Sequence, residues 1–226
     1  MLRHDQQGPV VCLEGPSAVG KTTLLDALAR ECGAMAVPEL SAGPPPPPGA
    51  SAAWFVERHA ELSRRARDAA AGAPFAVLDG DPFKGFWYGW IYADEGWEDA
   101  DALAALHRRA IEAGALAFPD LYVVLTATGA QLRERRASDA TRGRRSFEKH
   151  LRMLGPQRAY FAALREAAPS RVAILDTGDR SSLVPRVLEA IRHLPPAPPD
   201  SLALLDHVTG WLRAHPNAGD FAMDDR

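Results

Sequence analysis

The chain has 226 residues, enough for one domain with a full hydrophobic core, or for one domain with small additions. Its residues are 46% hydrophobic and 24% charged, as in globular proteins, and a net charge of −3 gives no general attraction to nucleic acid or to acidic membranes. Cys12 and Cys32 lack the spacing of a metal or redox motif. With no signal peptide and no apolar run approaching ~18 residues, we expect a cytoplasmic protein with reduced thiols and with no membrane or nucleic-acid partner.

Short apolar segments alternate with helical patterns along the chain and predict five strands with helices between them. The predicted strands are residues 9–14, 34–37, 75–78, 121–125 and 171–175. Five predicted helices have both bounds: residues 22–32, 52–71, 102–114, 183–193 and 201–214. Two more are bounded at one end, one that begins at 131–136 and one that ends near 167. This alternation predicts an α/β fold in which helices cover both faces of a parallel sheet. Because such sheets bind ligands beyond the carboxyl ends of their strands, polar residues there are the site candidates.

The segment between the first strand and the first helix matches the pattern G-x-x-x-x-G-K-[ST] at every fixed position. Its glycines let the backbone curl so that successive N–H groups point at phosphate oxygens, and the following helix adds its positive N-terminal end. Lys21 is placed to reach the β- and γ-phosphates, and the hydroxyl of Thr22 to ligate Mg²⁺. We therefore predict a site for ATP and Mg²⁺ formed by Gly15, Pro16, Ser17, Ala18, Val19, Gly20, Lys21, Thr22 and Thr23.

Carboxylates follow the second and third predicted strands. Glu39 stands eighteen residues beyond Lys21, where it is a candidate to accept the proton of an acceptor hydroxyl as that hydroxyl attacks the γ-phosphate. Asp79 is a candidate catalytic residue and Mg²⁺ ligand, and Asp81 a candidate to orient the acceptor. The alternatives are a solvated loop acid at Glu39 and ordinary turn chemistry in Asp-Gly-Asp-Pro.

An arginine-dense stretch spans residues 133–145, with few acids nearby for routine pairing. Arginines on a mobile segment can close over phosphates and offset the charge that develops during transfer. We predict that Arg133 and Arg136 act in catalysis and that Arg142 and Arg144 bind the nucleotide. The alternative is a solvated basic helix face.

These motifs together resemble the thymidylate kinase and deoxynucleoside kinase group. The resemblance spans roughly residues 9 to 193, and its most specific part is the phosphate loop; the others are Val37-Pro38-Glu39, Phe55-Val56-Glu57-Arg58, Val77-Leu78-Asp79 and the arginine stretch. It implies a P-loop three-layer α/β/α fold with a five-stranded parallel sheet and a helical lid at about 133–147. The kinase domain would cover residues 1–194, with 195–226 as linker and C-terminal helical extension. It also implies that Glu39 is the base and that Arg58 contacts the acceptor, and it makes a homodimer one option.

The acceptor side departs from the family pattern. Both families follow the third strand with an acid and then an arginine, where this chain has Asp79-Gly80-Asp81, so Lys84 or Arg58 is a candidate to replace that charge. Pro38 stands where thymidylate kinases carry an arginine for the nucleotide phosphate, which favours a neutral hydroxyl acceptor. Aromatic residues are candidates to line the acceptor pocket, with core packing as the alternative: Trp54, Phe55, Phe83, Phe86, Trp87, Tyr88 and Trp90.

The leading hypothesis is an enzyme that transfers the γ-phosphate of ATP to a hydroxyl of a small molecule, with a nucleoside or nucleoside-like compound as acceptor. Two alternatives use the same chemistry, an antibiotic-modifying O-phosphotransferase resembling the chloramphenicol type and a nucleoside monophosphate kinase. A third alternative, from a different functional class, is a nucleotide-dependent regulatory ATPase that acts with a protein partner. The proline-rich segment 41–49 and the predicted helix 201–214 favour it, whereas the lack of an Asn-Lys-x-Asp segment and of an apolar strand ending in Asp-Glu argues against it.

Overall fold

Five parallel strands form one sheet in the order β2-β3-β1-β4-β5, in a computed structural model that describes residues 7–39, 46–96, 99–138 and 147–222. The strands are β1 (Val10–Glu14), β2 (Met35–Val37), β3 (Ala76–Asp79), β4 (Leu121–Thr126) and β5 (Val172–Asp176). Each of the four strands after β1 follows a crossover that contains a helix, as parallel pairing requires. The described residues include no helix long and apolar enough to cross a membrane.

The helices are α1 (Lys21–Cys32), α2 (Ala52–Ala71), α3 (Lys84–Ile91), α4 (Ala100–Glu112), α5 (Gly129–Ser138), α6 (Phe147–Arg152), α7 (Leu154–Ala167), α8 (Leu183–Arg192) and α9 (Ser201–Ala214). The predicted helix that ends near residue 167 is two helices, α6 and α7. Pro156 lies in the first turn of α7 and has no N–H to donate to the carbonyl of Arg152, so one continuous helix is interrupted there.

The central strand is buried on both faces, which explains why its sequence is continuously apolar. Val11 and Leu13 pack with residues of α1 and α8, and Val10 and Cys12 pack with residues of α2, α3, α7 and α9. The sheet thus lies between two helical layers, with one hydrophobic cluster on each side. The predicted three-layer α/β/α arrangement with five parallel strands is confirmed. Residues 139–146, the middle of the predicted lid, lie outside the described residues.

The C-terminal helix α9 packs into the larger of these two clusters. Leu204, Leu205, Val208 and Leu212 are buried there against α4 and α7. Trp90 of α3 donates a hydrogen bond from its indole N–H to the carbonyl oxygen of His215, 2.7 Å away. The apolar face that had favoured a protein partner is therefore covered by the chain itself, although the proposed boundary at 194/195 stays a prediction.

Candidate functional site

Three acids meet at the rim formed by the carboxyl ends of β1, β2 and β3. Glu14 ends β1, Asp79 ends β3, and Glu39 follows β2 by two residues. Gly80 lies between them in a left-handed conformation with φ of 111°. A Cβ atom there would lie 3.7 Å from Cβ of Glu39 and 3.8 Å from Oε1 of Glu14. A larger residue such as the arginine of the family pattern would have to enter between these side chains and adopt a strained backbone.

The phosphate loop has the curled backbone that its sequence predicts. Positive φ angles occur at Gly15 (140°), Ala18 (70°) and Gly20 (110°). A Cβ atom at position 15 would lie 2.5 Å from the carbonyl oxygen of Leu125, so the first glycine is required by the close approach of β4. At Gly20 the space that a Cβ atom would take has no neighbour within 4 Å among the described residues, which leaves this side of the loop open for a ligand.

Lys21 is folded back over its own loop. Its Nζ atom donates hydrogen bonds to the carbonyl oxygens of Gly15 at 2.6 Å and Pro16 at 3.3 Å. Burial and the nearby Lys84 lower the pKa of Lys21, and the charges of Glu14, Asp79 and Glu39 oppose that shift. A phosphate anion in the loop would offer this ammonium group a stronger partner than the two carbonyls, so Lys21 is held beside the predicted phosphate position.

Glu14 links the phosphate loop to the rim. Its buried carboxylate accepts hydrogen bonds from the backbone N–H groups of Gly15 (3.0 Å) and Asp81 (2.8 Å) and from the side-chain amide of Gln157 (3.1 Å). Lys84 Nζ lies 3.4 Å from Oε1. Burial alone would raise the pKa of Glu14, but Lys84, Lys21 and the two backbone donors outweigh it and lower the pKa, so the group is ionised.

Asp81 lies beneath the rim and is only 1% exposed. Its oxygens accept hydrogen bonds from Phe83 N–H (2.9 Å), Trp87 Nε1 (2.8 Å) and the hydroxyl of Tyr122 (2.7 Å). Burial, with Glu14 close by, raises the pKa of Asp81 to about 6. These three contacts fix the start of α3, so they favour a role for Asp81 in positioning the rim over a role in binding the acceptor directly. The hydrogen bond from Trp87 also holds that side chain in the core, where it is fully buried.

A cavity of about 350 Å³ opens beside these acids. Its lining comprises Glu39, Phe55, His59, Leu62, Asp79, Gly80, Asp81, Lys84, Gly85, Tyr88 and His150. Burial raises the pKa of Asp79, with Lys21 opposing, and Glu39 adds to the increase. Burial opposes ionisation of Lys84, but Glu14 and then Glu39 raise its pKa, so this ammonium group stays charged. The cavity therefore combines a carboxylate rim, one cation and an apolar floor.

Thr22 and Asp79 are the predicted metal ligands, and both lie at this edge of the sheet. Among the described residues, no cluster of three or more His, Cys, Asp or Glu side chains is arranged to hold a metal ion. The hydroxyl of Thr22 and the carboxylate of Asp79 are oxygen donors, the ligand type that Mg²⁺ takes, usually one or two from the protein with phosphate oxygens and water beside them.

Comparison with solved structures identifies the fold. A thymidylate kinase from Candida albicans matches with a TM-score of 0.55 and 16% sequence identity, over 83% of this chain and 93% of the other. The chain has the fold of a P-loop nucleotide kinase. A NadR protein in complex with NR (TM-score 0.46, 19% identity, 86% and 53% of the two chains) and a gluconokinase from Sinorhizobium meliloti 1021 (0.38, 18%, 92% and 97%) are more distant. No family model and no curated protein matches the sequence.

Within this kinase fold, the predicted acceptor residues separate into two groups. Glu39, Asp79, Asp81, Lys84 and Phe55 line the cavity. Trp54, Arg58 and Trp87 do not belong to its lining: Trp54 packs edge-on against Phe55, with ring centroids 4.9 Å apart, and Arg58 is half-buried on α2. Of the two candidates to replace the missing arginine, Lys84 is therefore the one that reaches the rim.

The arginines of α5 have different surroundings. Arg136 lies 3.1 Å from Oε1 of Glu148 and its guanidinium is 4.6 Å from the ring centroid of Phe147, so these contacts tie α5 to α6. Arg133 lines a separate open cavity beside α6. Catalytic roles for both stay predictions, and Arg142 and Arg144 lie outside the described residues.

Sequence reasoning assigned no individual role to several residues that the structure brings to the site. Arg135 donates hydrogen bonds to the carbonyl oxygen (2.9 Å) and hydroxyl (2.8 Å) of Thr177 and to the carbonyl of Val19 in the phosphate loop (3.4 Å). His59 and His150 line the cavity beside the acids, and the carboxylate of Glu14 accepts a hydrogen bond from the backbone of Asp81 in that lining. A charged residue that ends an otherwise apolar central strand was the available signal for Glu14.

Proposed function

We propose that this protein is an ATP-dependent phosphotransferase that moves the γ-phosphate of ATP to a hydroxyl of a small neutral molecule, with a nucleoside-like compound as the acceptor. The observation that carries the proposal is the cavity at the carboxyl ends of β2 and β3, in which Glu39, Asp79 and Lys84 surround one space. The charges of all three act on Lys21, so the predicted donor and acceptor sides are within electrostatic reach of each other. The fold similarity to a thymidylate kinase supports the same chemistry.

In the proposed reaction, loop N–H groups and Lys21 hold the phosphates of ATP, and Glu39 accepts the hydroxyl proton of the acceptor. The acceptor oxygen forms a bond to the γ-phosphorus while the bond from that phosphorus to the β–γ bridging oxygen breaks, leaving ADP. Thr22 and Asp79 would hold Mg²⁺, which would supply positive charge to offset that of the phosphates. Lys84 supplies a fixed cation on the acceptor side, and the lid arginines Arg133, Arg136, Arg142 and Arg144 are proposed to add positive charge from the other side.

The charges around the cavity favour a neutral acceptor. Its described lining contains three carboxylates, Glu39, Asp79 and Asp81, and one cation, Lys84, which is already paired with Glu14. A phosphate group on the acceptor would meet this excess of acids, so a nucleoside monophosphate fits less well than a nucleoside. An antibiotic with a neutral hydroxyl fits the same chemistry.

The deciding experiment measures ADP release from MgATP with and without acceptors, using panels of nucleosides, nucleoside monophosphates and chloramphenicol. We expect one or more neutral hydroxyl compounds to accelerate ADP release and to gain a phosphate detectable by mass spectrometry. ATP hydrolysis that no small acceptor accelerates, but that a protein partner does, would favour the regulatory ATPase instead.

Glu39→Gln tests the proposed base. The amide cannot take a proton from the hydroxyl, so turnover should fall by about 100-fold or more while ATP binding is retained. Glu57→Gln is the matched control, because Glu57 is exposed on α2 and is not part of the cavity lining, and it should leave turnover unchanged. Turnover of Glu39→Gln close to that of the native protein would remove Glu39 as the base.

A further inference from the structure

A second cavity, of about 340 Å³, adjoins the acceptor cavity and shares Phe55, His59 and Gly85 with it. It is lined by residues of α2, α3 and α4. Its described lining contains no lysine or arginine, and its one carboxylate, Glu95, is paired with Lys149 and Arg152. This cavity is therefore suited to an uncharged group.

His107 of α4 forms part of its wall and is 1% exposed. Its ring stacks on Phe83, with centroids 5.3 Å apart, and its Nδ1 atom lies 2.7 Å from the carbonyl oxygen of Leu103. A carbonyl oxygen only accepts, so Nδ1 carries the ring hydrogen, and Nε2 of the neutral ring has a lone pair. Within the described parts of the chain this Nε2 atom has no hydrogen-bond partner.

Burial lowers the pKa of His107, so the ring is neutral at physiological pH and Nε2 acts as an acceptor. Because a buried acceptor that lacks a donor is costly, the missing partner has a defined chemistry, an N–H or O–H group.

His59 of α2 lines both cavities and is 8% exposed. Its Nδ1 atom also lacks a hydrogen-bond partner in the described residues. Burial, and then the nearby His107, lower the pKa of His59 to about 3, so this ring is neutral as well. Two uncharged imidazoles, each with a ring nitrogen that lacks a hydrogen-bond partner in the described residues, thus line the second cavity. His59 lies where this cavity meets the proposed acceptor cavity.

We propose that the second cavity binds the end of the acceptor remote from the reacting hydroxyl, and that Nε2 of His107 accepts a hydrogen bond from an N–H or O–H group of that end, with His59 beside it. This inference rests on the proposed function and narrows the substrate class. The acceptor is a neutral molecule long enough to span both cavities, with a hydroxyl at one end and a hydrogen-bond donor, such as the imide N–H of a pyrimidine base, at the other.

The test uses the full chain carrying ¹⁵N-labelled histidine, together with Mg²⁺ and a non-hydrolysable ATP analogue. Thymidine, deoxycytidine, deoxyadenosine, deoxyguanosine and chloramphenicol are titrated up to their solubility limits while long-range ¹H–¹⁵N spectra report the side-chain nitrogens of His107. We expect one probe to change the ¹⁵N chemical shift of Nε2 from the value of a nitrogen that accepts no hydrogen bond. Nδ1 should keep its hydrogen.

Two variants separate recognition from packing. His107→Phe keeps a ring against Phe83 but removes the acceptor, and His107→Gln returns a side-chain oxygen. The best probe is compared with its N-methylated or O-methylated analogue. The native protein should prefer the unmethylated probe at least tenfold in KM or Kd, His107→Phe should lose that preference, and His107→Gln should recover part of it. The KM for ATP should change in neither variant.

Each outcome has a distinct meaning. Phosphate transfer to a probe, with the preference intact in His107→Phe, overturns the inference and leaves the proposed function standing. A probe that moves the Nε2 resonance but accepts no phosphate supports the second cavity and contradicts the proposed function. If no probe moves the resonance, the inference is overturned, whether or not phosphate is transferred.

Discussion

At the scale of single residues, Glu14 determines how the rim is assembled. Its carboxylate joins β1 to the loop after β3 through Asp81 N–H, to α7 through Gln157, and to α3 through Lys84. A buried carboxylate with this many donors is stable only while it is ionised and all its partners are present. Glu14 therefore positions residues of the rim without lining the proposed acceptor cavity itself.

We expect Glu14→Gln to lower the free energy of unfolding by about 2 kcal/mol or more, because the amide turns an N–H group toward the existing donors and leaves Lys84 without its counter-charge. Urea unfolding followed by circular dichroism measures this loss. Glu31→Gln is the control: Glu31 forms an exposed pair with Arg30 at 2.8 Å, and its loss should change stability by less than about 0.5 kcal/mol. Equal effects of the two substitutions would show that the buried network is not needed for stability.

At this scale, the sequence predicts the residues that belong to a local pattern. The phosphate loop is contiguous, and Glu39 and Asp79 directly follow apolar strands, so the parallel-sheet rule was enough to place them at one rim. The partners of Glu14 lie 67 and 143 residues away, and the bonds from Arg135 reach 116 residues back to Val19. Such pairings depend on helix packing that no local periodicity encodes.

At the scale of elements, sequence patterns located all five strands and the long helices, with bounds of α2 and α9 that agree with the structure. The role of α9 was not predictable, since an amphipathic helix at the end of a chain has the same pattern whether it binds a partner or its own domain. Here its apolar residues complete the core beneath α4 and α7. The helix thus packs against α4, which forms one wall of the second cavity.

Leu205→Ala tests this role of α9. Leu205 is fully buried, so its truncation should lower the free energy of unfolding by about 2–5 kcal/mol, through lost burial and the cavity left behind. Tryptophan fluorescence, to which all five tryptophans of the chain contribute, among them Trp90 and Trp211 in contact across α3 and α9, should give the same transition as circular dichroism. Ala203→Gln on the exposed side of α9 is the control and should cost less than about 0.5 kcal/mol. Separate transitions would mean that α9 folds independently.

At the scale of the whole molecule, buried titratable groups around the cavities make stability depend on pH in opposite directions. Burial lowers the pKa of His59 to about 3 and of His150 to about 4, so the folded chain binds fewer protons than the unfolded chain as the pH falls below 6.5. Stability from these histidines is present above pH 6.5 and is lost on acidification. The pKa of Asp81 is raised from 3.8 to about 6, so Asp81 has the opposite effect: it binds a proton first in the folded chain and increases stability as the pH falls from 6 to 3.8.

The contribution of His59 to this pH dependence is isolated by comparing the unfolding free energy of the native protein with that of His59→Phe. The groups that act on His59 are His107, Lys84 and Glu14, and all three remain in His59→Phe. Between pH 7.5 and pH 5.5 the native protein should lose about 1.4 kcal/mol of unfolding free energy relative to His59→Phe, because a proton binds His59 only after unfolding. Ser63→Ala, on the same buried face of α2, is the control, since it alters stability without removing a titratable group. A stability difference between His59→Phe and the native protein that stays constant over this range would show that His59 takes up its proton in the folded state, and that it is not the neutral ring on which the second cavity depends.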